Sequence, residues 1–303
     1  MLRPMKQTDA LGRATFHHIA PVADVRVTER EIRWLKHIER HGPQSSQYLF
    51  ELTRDTHRCK DTALRAMQKL RAAGYLRLPP QQRATERAEC KPYIYDLTVK
   101  ATAYLAEESI DEPTVRPSGH WWHGYTVSCV TSAIEIAATR DGVRYIPAHQ
   151  ILAIKGAELA IPLDRSKLIP DQLFALDYGG SYRAFAVELD RSTEPLRSAA
   201  ARKSIQKSLD QYGRVIEGEI YKQHYGLKAN LLVLWVFQSR RRQEQFLALA
   251  KGLPSLTARS TLSAVLDANQ QCVGAKTGQL GLYRQHWTRS DGGALLLTQS
   301  AVA

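Results

Sequence analysis

Three carboxylates near the middle of the chain have the spacing of a metal site. Asp171 follows a proline, and seventeen residues later Glu188 and Asp190 end the apolar run that begins at Phe185. Strand side chains alternate between the two faces of a sheet, so Glu188 and Asp190 are predicted to share one face. Carboxylate oxygens are the ligands that Mg²⁺ prefers, and they also suit Mn²⁺. The sequence therefore predicts a metal site formed by Asp171, Glu188 and Asp190.

The alternative interpretation is a salt-bridge network, in which Arg183, Arg191 and Lys203 would balance the acids. The overall charge favours the metal, because the chain has 42 Lys and Arg against 30 Asp and Glu. A formal charge of +12 and a pI near 9.6 suit a polyanionic partner such as nucleic acid. A divalent ion that activates water beside a phosphodiester is the chemistry to test.

Two other kinds of catalytic group are present but less favoured. His120 and His123 have three-residue helical spacing and could bind a metal, although the two intervening tryptophans favour helix packing. Tyr212, Tyr221 and Tyr225 could each act as a nucleophile on phosphorus, but tyrosines on an amphipathic helix are usually packing residues. We therefore expect neither a histidine metal pair nor a covalent tyrosine mechanism.

Several function classes are disfavoured by what the sequence lacks. No segment matches Gly-x-x-x-x-Gly-Lys-Ser/Thr, so ATP-driven work is not expected. The four cysteines are scattered and predict neither a zinc knuckle nor a disulfide framework. No apolar run reaches the twenty or so residues of a membrane-spanning helix, and the first residues do not resemble a signal peptide. We therefore expect no membrane partner and a cytoplasmic location.

The first third of the chain has the element order of a winged helix-turn-helix. Thr28 and Glu31 form a capping box, and His41-Gly42-Pro43 ends the helix that it opens. Helices are predicted over 45–53 and 58–73, strands over 75–78 and 93–97, and a closing helix over 98–107. Three helices followed by a two-stranded ribbon predict a DNA-binding domain over 25–107, after a flexible arm over 1–24.

The exposed side of the third predicted helix is basic, as is the predicted wing. A protein-interaction surface with solvated charges is the alternative to DNA contact, but the basic wing favours DNA. Gln68 could also read a base edge. The candidate DNA-binding residues are Arg58, Lys60, Arg65, Gln68, Lys69, Arg83, Arg87 and, at the wing, Lys91. A further basic run, Ser239-Arg240-Arg241-Arg242, could contact the phosphate backbone or begin a solvated helix.

A linker over 108–118 leads to a second domain over 119–252. Helices are predicted over 120–139, 197–224 and 241–250, and strands over 143–146, 171–178, 182–190 and 230–237. The last strand is continuously apolar, as expected where both faces are buried. This order implies a mixed sheet flanked by helices, so the fold class is α+β. Residues 253–303 form a C-terminal extension that the sequence leaves unassigned.

This topology and acid placement resemble the restriction-endonuclease-like fold, whose signature is Pro-Asp, a spacer, then Asp/Glu-x-Lys. More narrowly, the winged helix followed by Val-Glu-Leu-Asp-Arg-Ser-Thr-Glu-Pro-Leu at 187–196 resembles the replication-relaxation family of plasmids, conjugative elements and phages. That family is similar to the relaxases of the C mobilisation class, which nick a transfer origin. The resemblance covers most of residues 25–240.

The resemblance implies roles for individual residues. Asp171 matches the central metal-binding Asp and Glu188 the second acid, with Mg²⁺ or Mn²⁺ as cofactor. Asp190 stands where the wider superfamily has its lysine, which leaves Asp190 as a further metal ligand or a residue that positions a lysine. Lys207 on the following helix is the favoured replacement, with Lys203 as the alternative.

Two further acids have weaker roles. Glu135 could add a metal ligand, although an exposed helical Glu is the more ordinary interpretation. Glu194, just before a proline, is expected to cap the long helix, because acids favour helix N-termini.

The predicted function is a DNA-binding, metal-dependent endonuclease or relaxase-like nickase in replication or mobilisation of a plasmid, phage or integrative element. The alternative is a catalytically inactive DNA-binding regulator of replication or transcription, and a partner-binding scaffold is a weaker one. The expected partners are double-stranded DNA, which could include an origin, and accessory mobilisation or replication proteins. A homodimer is compatible with the sequence, but nothing in it requires one.

Overall fold

The structure is a computed structural model, and it divides into two compact units after Glu112. It describes residues 19, 21–23, 25–57, 59–84, 93–112, 115, 119–164, 166–192, 194–198, 203–266 and 281–299. Most of the predicted arm, and the candidate DNA-binding residues Arg58, Arg87 and Lys91, lie outside these residues, as does the side chain of Arg83.

The first unit is a winged helix built around a small sheet with strand order β1-β3-β2. Its elements are α1 (Glu29–His41), β1 (Gln44–Ser45), α2 (Ser46–Leu52), α3 (Lys60–Ala72), β2 (Leu76–Arg77), a 3-10 helix (Pro80–Ala84), β3 (Ile94–Leu97) and α4 (Val99–Glu107). The predicted helices and both predicted strands are present. The two-residue β1, which pairs antiparallel with β3, was not predicted.

Local signals in the sequence set the helix ends of this unit. The Glu31 carboxylate accepts a hydrogen bond of 2.8 Å from the Thr28 backbone amide, as the capping box requires. Gly74 follows α3 with a φ of +81°, a conformation that glycine adopts without steric cost. The apolar faces meet in one core, in which the fully buried Trp34 donates a 2.7 Å hydrogen bond to the carbonyl of Leu49. This core fixes α3 with its opposite side outward.

The second unit is a seven-stranded mixed sheet with helices on both faces. Its elements are α5 (Trp121–Arg140), β4 (Arg144–Pro147), α6 (Ala148–Ala153), β5 (Ile161–Leu163), β6 (Ser166–Leu168), β7 (Gln172–Asp177), β8 (Tyr182–Asp190), α7 (Ile205–Glu217), α8 (Ile220–Tyr225), β9 (Leu231–Phe237), α9 (Arg240–Ala250), α10 (Ser255–Ser260), β10 (Thr261–Val265), α11 (Gly281–Arg284), β11 (His286–Arg289) and β12 (Ala294–Leu296). The strand order is β12-β11-β10-β9-β8-β7-β4.

The central strands β8, β9 and β10 run parallel, and the other neighbours in the sheet are antiparallel. Alanines 184 and 186 of β8 face the layer formed by α6 to α9, and α5 packs on β7 and β8. The predicted α+β class, a winged helix followed by a restriction-endonuclease-like domain, is confirmed.

Two differences from the predicted elements bear on the site. The helix predicted over 197–224 is two helices: α7 begins after the N-cap Ser204, and Glu219, with a φ of +49°, separates α7 from α8. The sheet continues past the predicted domain end at residue 252, because β10, β11 and β12 belong to it. The parallel pairing of β10 with β9 is a long-range contact that no local pattern in the sequence signals.

Candidate active site

Asp171 and Glu188 come together where β7 and β8 pair. Gln172 is the register partner of Val187, and the Asp171 amide donates a 3.0 Å hydrogen bond to the Val187 carbonyl. Continuing this antiparallel register by one pair places Asp171 opposite Glu188, where side chains lie on the same face. Both acids are buried, at 7% and 3% exposure. Two like charges are thus held together out of water, which is costly unless a cation compensates them.

The Asp171 carboxylate is held by two groups. Its Oδ2 accepts a 2.8 Å hydrogen bond from the Leu189 amide, and its Oδ1 lies 3.0 Å from His123 Nε2. The hydrogen bond to Asp171 raises the pKa of His123, and it outweighs the opposing effect of burial. Backbone and imidazole together fix the orientation of this carboxylate.

The Glu188 carboxylate is held by Tyr212 and Lys203. Tyr212 OH donates a 2.7 Å hydrogen bond to Oε1, and Lys203 Nζ lies 3.4 Å from Oε2. Burial, reinforced by the charge of Asp171, raises the pKa of Glu188 to about 7. Lys203 and the hydrogen bond from Tyr212 lower this pKa but do not offset these effects, so a further cation would stabilise the charged form of Glu188.

Lys203 takes its position because α7 begins later than predicted. It precedes the N-cap Ser204, so it lies on the approach to the helix and not on one of its turns. Its Nζ also lies 3.4 Å from Glu194 Oε1, while about half of its side chain stays exposed. Burial lowers the pKa of Lys203, but the carboxylates of Glu188, Asp171 and Glu194 outweigh it, so the pKa is raised. Lys203 is therefore a fixed ammonium beside the acids with access to solvent.

Lys207, the favoured lysine of the sequence analysis, lies in the first turn of α7. Its backbone amide donates a hydrogen bond of 3.4 Å to Ser204 Oγ, and its side chain is partly buried. The ion pair that the structure gives Glu188 is with Lys203. A role for Lys207 stays a prediction, and the geometry favours Lys203.

Asp190 has different partners from Glu188, although it lies only two residues further along β8. Its Oδ1 accepts a 2.9 Å hydrogen bond from the Ser192 amide, and its Oδ2 pairs with Arg242 Nε of α9. Arg242 also donates to the carbonyl of Glu194. We call this the Asp190–Arg242 clasp. It joins the end of β8 to α9 and gives Asp190 a structural explanation that needs no metal.

The structure differs from the expectations for Glu194 and Glu135. Glu194 does not cap α7: the first amides of the helix, those of Ile205 and Gln206, donate to the carbonyls of Pro195 and Leu196. Glu135 is buried, not exposed, at 7% exposure. It lies twelve residues along α5 from His123, which is about 18 Å at 1.5 Å per residue, so it is outside the acid pair.

The candidate tyrosine nucleophiles are packing residues in this structure. Tyr212 and Tyr225 are fully buried, and Tyr221 is 2% exposed. Tyr225 OH donates to the Leu159 carbonyl, and Tyr212 OH is engaged by Glu188.

The α3 residues predicted to contact DNA are exposed. Ala63, Met67 and Leu70 are buried against the core, and the opposite side of α3 faces outward. The exposed set comprises Lys60, Arg65, Gln68 and Lys69, which we call the α3 basic face. Among the described residues, no ion pair involves its three cations.

Sequence reasoning undervalued three groups of this site. His123 and Tyr212 were judged packing residues, with a nucleophile as the less favoured role of Tyr212, and Arg242 was considered as a phosphate contact or as part of a solvated helix start. For His123, the three-residue spacing from His120 was the one signal that the sequence offered. The contacts of Tyr212 and Arg242 depend on which helix crosses the strand end, which the local sequence does not state.

The fold and site define a class: a winged helix joined to a restriction-endonuclease-like sheet with an Asp–Glu–Lys cluster at its strand ends. The chain matches the replication-relaxation family over residues 35–231, about two thirds of its length. It belongs to that family, and the suspected resemblance is confirmed. Comparisons with curated proteins and with solved structures find no match.

Membership of this family indicates a role in replication or mobilisation of a plasmid or related element. Within the part of the chain that the structure describes, no helix has the length and apolar character needed to cross a membrane.

Proposed function

We propose that this protein is a DNA-binding, metal-dependent endonuclease that nicks DNA during replication or mobilisation of its element. The observation that carries the proposal is the cluster of Asp171, Glu188 and Lys203. Two buried carboxylates meet at adjacent strand ends, and a half-exposed ammonium lies 3.4 Å from one of them. Clusters of buried charges with shifted pKa values are typical of functional sites more than of structural ones.

The donor set fits a divalent cation. Asp171 and Glu188 offer hard carboxylate oxygens, which Mg²⁺ and Mn²⁺ accept as ligands. Burial, followed by the charge of Asp171, raises the pKa of Glu188, and a bound cation would oppose both effects by stabilising the charged carboxylates. Each carboxylate has one oxygen held by a hydrogen bond from a neutral donor, Leu189 or Tyr212, and such outer partners orient metal ligands. Asp171 and Glu188 would hold the ion.

Other groups of the protein would position the carboxylates and stabilise charge on the phosphate. When bound, the metal ion would polarise the scissile phosphate and lower the pKa of a water. Tyr212 and the Leu189 amide keep the two carboxylates in place, so little reorganisation is needed when a substrate arrives. Lys203 supplies positive charge where negative charge develops on the phosphate, because its ammonium is fixed by Glu188 and Glu194 yet reaches solvent.

The winged helix would bring DNA to this unit. Helices in the position of α3 enter the major groove in helix-turn-helix proteins. Lys60, Arg65 and Lys69 would contact phosphates, and Gln68 could form two hydrogen bonds with an adenine. Double-stranded DNA, including an origin of the element, is the proposed partner, together with accessory replication or mobilisation proteins.

The test is nicking of supercoiled plasmid that carries the protein's own flanking genomic DNA, with Mg²⁺ or Mn²⁺ compared with EDTA. We expect metal-dependent nicking that falls on the order of a thousandfold in Asp171→Asn and Glu188→Gln. The matched control is Asp177→Asn at the other end of β7, where the acid pairs with Arg144 at the surface. Nicking that survives in both site variants would refute the assignment.

The second candidate function is a DNA-binding regulator without nuclease activity. One observation favours it: the position that holds lysine in the wider superfamily carries Asp190, which is committed to the Asp190–Arg242 clasp. Tight, salt-sensitive DNA binding with no nicking in either metal would establish the regulator.

A further inference from the structure

His123 contacts the Asp171 carboxylate, and the proposed chemistry assigns it no role. It is in the first turn of α5, and its Nε2 is 3.0 Å from Asp171 Oδ1. The other Asp171 oxygen, Oδ2, is occupied by the Leu189 amide. Oδ1 is therefore the oxygen left for a metal, and the imidazole nitrogen lies beside that oxygen.

The separation of the two atoms matches that of neighbouring ligands on one ion. In an octahedral site with bonds of about 2.1 Å, adjacent ligand atoms lie about 3 Å apart. A nitrogen and an oxygen at this distance can share an ion, which then replaces the proton between them. The contact is thus compatible with a ligand pair as well as with a hydrogen bond.

The chemistry of the ligand decides which ion is preferred. Two carboxylates alone suit Mg²⁺, which takes oxygen ligands and keeps several waters. An imidazole suits first-row transition ions and adds little for Mg²⁺. Mn²⁺ takes carboxylates as Mg²⁺ does, but as a first-row transition ion, the weakest-binding of that series, it also accepts a nitrogen ligand. A His–Asp–Glu set therefore favours Mn²⁺ and the later first-row ions over Mg²⁺, whereas an Asp–Glu set does not.

We propose that His123 is a third metal ligand beside Asp171 and Glu188, so that the site takes Mn²⁺ or a similar transition ion in preference to Mg²⁺. The inference rests on the proposed function, because it assigns the ion of that same site. It also gives the short segment His120 to His123 a role that helix packing does not explain: one histidine at the helix start contacts the acid pair, and the other, three residues earlier, is exposed.

The experiment is Mn²⁺ binding to the full chain, followed by pulsed electron paramagnetic resonance of the bound ion. A directly coordinated imidazole gives a nitrogen hyperfine coupling that a neighbouring but unbound histidine does not. His123→Gln keeps an amide that can hydrogen-bond Asp171 but removes the imidazole. His120→Gln is the matched control, since it makes the same change on an exposed residue of the same segment.

We expect the nitrogen coupling in the wild type and in His120→Gln, and its loss in His123→Gln. Mn²⁺ affinity should fall about tenfold or more in His123→Gln, while Mg²⁺ affinity changes by less than about threefold. Bound Mn²⁺ without nitrogen coupling, or equal losses for both ions, would overturn the ligand assignment and leave the proposed nuclease intact. Absence of any Mn²⁺ binding in a folded wild type, together with absence of nicking, would overturn both.

Discussion

The protein places charge in two regions by opposite physical means. In the acid cluster at the ends of β7 and β8, Asp171 and Glu188 are buried and every described charge has a named partner. On the α3 basic face, cations are exposed and, among the described residues, no ion pair involves them. Buried charges are expensive and are fixed in position, whereas exposed charges are solvated and can still exchange water for phosphate.

This difference would separate the two tasks of the proposed nuclease. A catalytic centre benefits from groups that are held rigidly before the substrate arrives. A DNA-binding surface benefits from cations whose counterions are released when phosphates replace them. Substitutions in the first region should therefore change stability and chemistry by large factors, and substitutions in the second should change affinity modestly and in a salt-dependent way.

The largest effect on stability is expected from breaking the Asp190–Arg242 clasp. Asp190→Asn leaves the largely buried Arg242 guanidinium without its counter-ion, which should lower the free energy of unfolding by about 3 kcal/mol. Urea denaturation measures it. Asp177→Asn, which breaks a surface pair, should have a much smaller effect. Equal effects of the two variants, with Mn²⁺ binding lost in Asp190→Asn, would instead make Asp190 a metal ligand.

The next effect is the pH dependence that Glu188 gives the metal-free protein. Its pKa is about 7 in the folded state against an ordinary value of 4.5. The folded state therefore binds more protons than the unfolded state between these pH values, and stability falls as pH rises through this range. The loss is on the order of 3 kcal/mol and is complete above pH 7.

Denaturation in EDTA at pH 5 and pH 8 tests this prediction. Glu188→Gln should reduce the difference between the two pH values and should be relatively more stable at pH 8. The difference that is left should include the contribution of His123, whose raised pKa acts in the same direction. Mn²⁺ should restore stability to the wild type at pH 8 but not to this variant. An unchanged pH dependence in Glu188→Gln would show that the acid pair is not undercompensated.

A smaller effect, on rate alone, should distinguish the two lysines. Lys203→Met should reduce metal-dependent nicking about 100-fold, because it removes the charge closest to Glu188. Lys207→Met, four residues later on α7, is the matched control and should change the rate less than threefold. The reverse result would support Lys207, which the sequence favoured, as the catalytic lysine.

The smallest effect is expected on the α3 basic face. Arg65→Ala or Lys69→Ala should weaken DNA binding several-fold across all sequences and reduce the salt slope by about one per substitution. Gln68→Ala should weaken binding to the specific site only. Fluorescence anisotropy at several salt concentrations measures both. Affinity that is unaffected by all three variants would indicate that α3 contacts a protein instead.

The sequence by itself determined most elements of the first unit, the strands that carry the site, and the two acids. The capping box at Thr28, the apolar stripe of α3 and the alternation along β8 are local signals, and each gave an element close to its observed bounds. Asp171 and Glu188 could be placed together because both lie at strand ends, where a short connection brings two antiparallel strands into register. The family signature at 187–196 depends on the same local stretch.

Tertiary structure decided the partners of those acids. Lys203 reaches Glu188 because α7 starts at Ser204, and His123 reaches Asp171 because α5 crosses the strand ends at its first turn. Arg242 pairs with Asp190 from fifty-two residues away, which gives this predicted metal ligand a partner within the protein. The strands after residue 252 join the sheet through pairing with β9. Such contacts depend on how whole layers pack, so residue type and spacing do not determine them.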